Sequence, residues 1–133
     1  NLHDFNTEDI KFDVVEKNLS FDDTLPNLSK NYLKTLFDNN LKTDGFEGSL
    51  SISVLDFKNI TSDIEDGKKV NLSFNYKLNI QKKLLNRTKS ISGSVNEFAT
   101  ITGDFSLNEL EDLVTQAEKN IIKRFWIQLS KLN

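Results

Sequence analysis

Five cations between residues 77 and 89, namely Lys77, Lys82, Lys83, Arg87 and Lys89, form the densest group of chemically competent side chains in this sequence. Lysine carries a compact charge that meets a phosphate oxygen without demanding a fixed geometry. Such a group either docks an anion, a lipid phosphate for example, or simply solvates the end of a hairpin. Catalytic alternatives fail on residue type. His3 is the only histidine and sits at the polar N-terminal end, so a Ser-His-Asp arrangement has no ordered base. Asp63, Glu65 and Asp66 lie close together, but they lack the alternating ligands and closing Glu of a calcium loop and read as a solvated hairpin tip. Asp22 and Asp23 read as acids just ahead of a helix. The five glycines are scattered rather than gathered into a phosphate-binding loop, and cysteine is absent, which removes zinc knuckles, disulfides and thiol nucleophiles together. No enzyme, metal or cofactor is expected.

Nucleic acid is not an expected partner either. Sheet-based readers stack bases on exposed aromatics, and here Phe74 and Tyr76 share the phase of Leu72 and Leu78, the core phase. Net charge is −3, with a balance of −8 over residues 1–66 and +5 over residues 67–133. That asymmetry fits an anion-facing surface, or two halves that attract each other within one fold. Sixteen Asn and a ratio of fifteen Lys to two Arg suggest an AT-rich genome. Five Asn-x-Ser/Thr triplets, at Asn18, Asn27, Asn59, Asn71 and Asn86, leave a glycosylated secreted domain as an alternative. Trp126, the sole Trp, reads as core in preference to a partner anchor.

The elements that must position the cations are legible from periodicity. "VNLSFNYKLNIQ", Val70 to Gln81, alternates apolar and polar residues throughout, the mark of a strand with one covered face. Asp66-Gly67 ahead of it signals a hairpin turn. The partner strand, "SLSISVLDF", holds Leu50, Ile52 and Val54 in phase and then slips to Leu55 and Phe57, which predicts a bulge near Val54. "KKLLNRTK" connects to a weaker strand with Ile91, Gly93 and Val95 on one face. Upstream, Ile10, Phe12 and Val14 predict a short strand, followed by a loop over "NLSFDDTLPN". An amphipathic helix then carries Leu28, Tyr32, Leu33, Leu36, Phe37 and Leu41, with Thr24 as its cap, Pro26 in its first turn and Gly45 as its left-handed stop. Ser106 and Glu109 form a capping box for a second, long helix. Its stripe runs Leu107, Leu110, Val114, Ala117, Ile121, Phe125, Leu129 and Leu132, widened by Leu113, Ile122 and Trp126.

The expected fold is therefore α+β, in the order β-α-β-β-β-α, with a mainly antiparallel sheet and both helices on one face. Residues 1–9 are expected to be loose and residues 10–133 to form a single domain. No apolar run reaches the roughly 20 residues of a membrane-spanning helix, and no leader is seen at the start, so the chain is read as a mature or trimmed form.

In element order and C-terminal pattern the sequence resembles the LPS-assembly lipoproteins (LptE-like) of Gram-negative envelopes. The likeness runs from "IKFDVVEK" and "LSKNYLKTLFDNNL" through "GSLSISVLDFKN" and "KVNLSFNYKLNIQKKLLNRTKSISGSVNEF" to "LNELEDLVTQAEKNIIKRFWIQL", about residues 8–133. It implies a non-enzymatic protein on the periplasmic side of the outer membrane. Such a protein docks to a β-barrel partner and contacts lipopolysaccharide through basic residues, which by position are Lys82, Lys83, Arg87 and Lys89. The family carries lipid on an N-terminal Cys that this sequence lacks, in keeping with a trimmed chain. An auxiliary lipoprotein, or a carrier holding a small apolar ligand between sheet and helices, is the alternative.

Overall fold

A computed structural model describes residues 8–132. The expected α+β architecture is present, built on three strands far longer than the rest. In chain order the elements are β1 (Ile10–Phe12), β2 (Glu16–Phe21), α1 (Asn27–Asn40), β3 (Leu41–Thr43), β4 (Ser49–Ile64), β5 (Gly67–Lys82), β6 (Arg87–Thr102) and α2 (Leu107–Leu132). A single 3₁₀ turn, Lys83–Leu85, joins β5 to β6. The main sheet runs β2-β4-β5-β6; β2 is parallel to β4, and the other neighbours are antiparallel. β1 and β3 form a small parallel pair of their own.

β5 is the spine. Val70, Leu72, Phe74, Tyr76 and Leu78 are all buried, while Asn71, Asn75, Lys77 and Asn79 are exposed. Period-two alternation thus resolves into one oily and one wet face. Both helices cover the oily face: α1 contributes Tyr32, Leu33, Leu36 and Phe37, and α2 contributes Ala117, Ile121, Ile122, Phe125, Trp126 and Leu129. Trp126 is core, and its Nε1–H donates to the Glu8 carbonyl at 3.1 Å. The capping box is formed: the Glu109 N–H donates to Ser106 Oγ at 3.1 Å, and the Ser106 N–H to Glu109 Oε1 at 3.4 Å. Leu107, expected in the buried stripe, is exposed, because full burial of α2 begins only at Ala117.

Four local expectations are corrected. The first strand is two strands, and "NLSF" is not loop but the end of β2, drawn out by its parallel ladder to β4 from Glu16↔Ser49 to Phe21↔Val54. Thr24 does not cap α1. Pro26 occupies the cap position with no side-chain bond, and Thr24 Oγ1 instead accepts the Phe57 N–H at 2.8 Å. Gly45 is not the helix stop, and the left-handed glycine of that loop is Gly48. The C-terminal carbonyls of α1 are met by Lys17 of β2, whose Nζ donates to Phe37 O at 2.8 Å and Leu41 O at 2.7 Å. A cation at that end also suits the helix dipole.

The bulge falls two residues later than Val54. β4 carries Asp56 and Phe57 against the single Phe74 of β5, with Asp56 at φ 57°. Asp22 clasps it. Its carboxylate takes the Thr24 hydroxyl, the Thr24 N–H at 3.1 Å and the Asp56 N–H at 3.0 Å. These bonds, that from the Thr24 hydroxyl foremost, hold the Asp22 carboxyl below its ordinary value. The clasp is therefore intact above that ordinary value and is lost as pH falls through the lowered one.

Ser29 is fully buried in α1, and its hydroxyl is the one buried side-chain polar atom without a partner among the described residues. A buried hydroxyl with no bond keeps its desolvation penalty. Ser29→Ala is expected to raise the unfolding free energy by about 1 kcal/mol, read from urea denaturation.

Candidate functional site

The five cations are not one patch. Lys77 alternates with Asn75 and Asn79 onto the wet face of the sheet. Lys82 has the opposite parity and continues the oily phase of Leu78 and Ile80 past the end of the core. Arg87 pairs with Lys82 in the β5–β6 ladder, and Lys89 pairs with Ile80. Residues opposite each other on neighbouring strands project from the same face. Lys82, Arg87 and Lys89 therefore converge on the helix side of the sheet, whereas Lys77 is separated from them by the sheet itself. Lys83 lies in the 3₁₀ turn and lines a shallower depression with Gln81, Asn86 and Arg87.

The three convergent cations rim an open cleft of about 560 Å³. Its apolar lining is Phe12, Val14, Ile80, Leu85 and Leu132, and Thr88 and Asp13 complete it. The segment between β1 and β2 forms one wall, the end of the β5–β6 hairpin another, and the last residue of α2 the third. The volume lies in the usual range for ligand sites, roughly 300–1,000 Å³. Lys82 Nζ is 3.5 Å from Asp13 Oδ2, an exposed pair and hence a weak one. Among the described residues, no carboxylate lies within ion-pair distance of Lys83, Arg87 or Lys89. An apolar floor under a cationic rim accepts an amphiphile: an anionic group at the mouth, hydrocarbon beneath.

The acidic residues form no comparable site. Among the described residues no three His, Cys, Asp or Glu side chains are placed to hold a metal. Asp63 is paired with Lys68 beside the hairpin turn. His3 lies outside the described residues. On α2, partial burial pushes the Glu118 carboxyl above its ordinary value, but Glu118 does not line the cleft.

Three further residues belong to this end of the molecule and were not singled out from the sequence: Phe46, Leu84 and Leu85, all exposed. The signal for two of them was present, since two leucines inside "KKLLNR" have no element to bury them. Phe46 carried none, because its place depends on how the turn before β4 packs against β5.

No family model matches the sequence, and no curated protein does. Solved structures do match. A minor lipoprotein from Acinetobacter baumannii aligns with TM-score 0.55 at 12% identity, covering 89% of this chain and 90% of that one. Rare lipoprotein B from Shewanella oneidensis aligns with TM-score 0.54 at 13% identity, covering 89% and 96%. A protein assigned as a lipoprotein from Caulobacter crescentus aligns with TM-score 0.55 at 8% identity, covering 88% of each chain. The fold is one found among bacterial lipoproteins. With identities this low the likeness is one of architecture alone, and it spans nearly nine tenths of this chain.

Proposed function

We propose that this chain is a non-enzymatic protein of the bacterial envelope that supports lipopolysaccharide assembly at the outer membrane. In this reading it works from the periplasmic side, docks to an outer-membrane β-barrel protein and holds anionic lipid at its basic end. One observation carries the lipid part: Lys82, Arg87 and Lys89, brought to one face by the two strands of a hairpin, rim a single cleft whose floor is Phe12, Val14, Ile80, Leu85 and Leu132. The shared lipoprotein architecture supports the envelope setting. Docking to a barrel rests on the sequence resemblance. Lys77, on the opposite face, is left out of the lipid site, and Lys83 is placed at its edge.

The test is a charge reversal. Lys82→Glu, Arg87→Glu and Lys89→Glu together are expected to weaken binding of purified lipopolysaccharide at least about tenfold, since each cation near an anionic surface is worth about 1 kcal/mol. Wild-type binding is expected to weaken as salt rises, because exposed charges are screened. Lys77→Glu serves as the control and is expected to change little. Undiminished binding by the triple variant would remove the cleft from the account.

A further inference from the structure

The turn that closes the β5–β6 hairpin holds two leucines in water. Leu84 is 68% exposed and Leu85 57%, and Phe46, on the separate turn before β4, is 81% exposed. The three share one location: with Asp13, Glu47 and Lys82 they line a single shallow depression beside the larger cleft. Gly48 explains the meeting. Its φ of +100° is left-handed, and a Cβ there would stand 2.3 Å from the Gln81 carbonyl oxygen, so only glycine lets the Phe46 turn press against the end of β5. From the other side the Val15 and Glu16 N–H groups donate to Gly48 O at 3.2 and 3.1 Å.

Single exposed apolar residues are ordinary on a protein surface. Three gathered from two loops into one tip are a patch, and this patch wears a collar. Lys82 and Lys83 precede the leucine pair, Arg87 follows it, and Lys89 stands two ladder positions beyond. Asp13 and Glu47 are the acids beside the tip, fewer than the four cations. Apolar side chains at the centre with long cationic side chains around them are the arrangement that an anionic bilayer surface accepts. The former enter the acyl boundary, and the latter reach back to headgroup phosphates. A protein pocket would bury the leucines equally well, but it would need acids on every side to match the collar, whereas a lipid surface is anionic all round.

We propose that this tip inserts into the surface of an anionic bilayer, with Phe46, Leu84 and Leu85 among the acyl chains and Lys82, Lys83, Arg87 and Lys89 at the phosphates. The proposal builds on the lipid-binding reading above and adds that the cleft opens at a membrane surface, where a lipid could pass between bilayer and protein. β5 and β6 would then stand with their connected ends at the membrane and the Glu65–Asp66 turn away from it.

The experiment compares two variants of the full chain on two probes. The first probe is vesicles of phosphatidylcholine containing phosphatidylglycerol; the second is deacylated lipopolysaccharide, which presents phosphates but no apolar surface. Phe46→Ser and Leu84→Ser together, which spare the cleft residue Leu85, are expected to lower vesicle co-sedimentation at least about tenfold while leaving binding of the deacylated probe within about twofold. The Lys82→Glu, Arg87→Glu, Lys89→Glu variant is expected to lose both. Vesicle binding unchanged by the serine variant, or absent in the wild type, overturns the proposal. Loss of both probes by the serine variant overturns it too, since Phe46 and Leu84 would then serve the cleft and not a bilayer. Retention of the deacylated probe by the charge variant sinks the lipid-site reading instead, and the tip then stands or falls on the vesicle result. Vesicle binding that survives in the serine variant while capture by a purified barrel protein is lost would make the tip a protein contact.

Discussion

Phe125→Ala is expected to cost about 3–5 kcal/mol of stability, the range for emptying a large aromatic site in a closed core. Phe125 is fully buried in the C-terminal half of α2 and joins that helix to the spine of the sheet. Its ring meets Phe74 edge-on, with centroids 5.3 Å apart and planes at 80°, and leans on Tyr76 at 5.0 Å. Ile121, Ile122 and Leu129 close in from the same helix, and all three are fully buried. Little room exists for the neighbours to collapse into the vacated volume, which favours the upper half of the range. Against a total of about 5–15 kcal/mol for a domain of ordinary stability, such a loss leaves a small margin. In urea the midpoint is expected to fall by about 2 M with the slope unchanged. A loss under about 1 kcal/mol would mean that α2 is not the principal cover of the sheet.

The residues behind that expectation were readable from the sequence, and the reason is local. β5 had to alternate because one of its faces is covered, and α2 announced itself through a capping box and a stripe repeating every three or four residues. The bulge in β4 was visible as a slip from Val54 to Leu55 and Phe57. β2 was not visible. None of Glu16 to Phe21 is fully buried, and their extended form comes from a parallel ladder to residues more than thirty positions away. The same holds for the ends of β6. Arg87 to Ser90 are all exposed, and they are strand because β5 extends beside them. Thr24 and Gly45 were assigned the roles their residue types usually play, but the contacts that decide such roles, Phe57 for Thr24 and the Val14 backbone for Gly45, are distant in sequence.

The candidate site was half legible. Proximity along the chain gathered five cations, but parity divides them. Lys77 is odd in β5 and Lys82 even, so the alternation that assigned Phe74 to the core already placed those two lysines on opposite faces. Arg87 and Lys89 have the parity of Gly93 and Val95 in β6, the oily face. What no local pattern could supply was the rest of the cleft, since Phe12, Val14 and Leu132 arrive from the two ends of the chain. The cationic rim is therefore a property of the hairpin, and the apolar floor a property of the whole fold.

Gly93→Ala is expected to cost about 1–3 kcal/mol, a large effect for one exchanged hydrogen in a strand where alanine is otherwise the better residue. Gly93 lies directly opposite Tyr76 in the β5–β6 ladder. The tyrosine ring lies over it: a Cβ at Gly93 would stand 2.4 Å from Tyr76 Oη and 2.5 Å from Cζ. The missing side chain is what lets the ring cross β6 and donate its hydroxyl to Gln128 Oε1 of α2 at 2.9 Å. An aromatic ring covering a cross-strand glycine is a recognised stabiliser of sheets, and here it also ties the sheet to the helix. A methyl group would push the ring aside, breaking that bond and loosening the contact with Phe125. The argument is tested by a cycle: in a Tyr76→Val background, where no ring overhangs β6, Gly93→Ala should be nearly neutral or slightly stabilising. The coupling between the two sites is then about 1–3 kcal/mol. Additivity within about 0.5 kcal/mol would show that the ring does not depend on Gly93 and that the link from sheet to helix rests on Phe125 without the tyrosine.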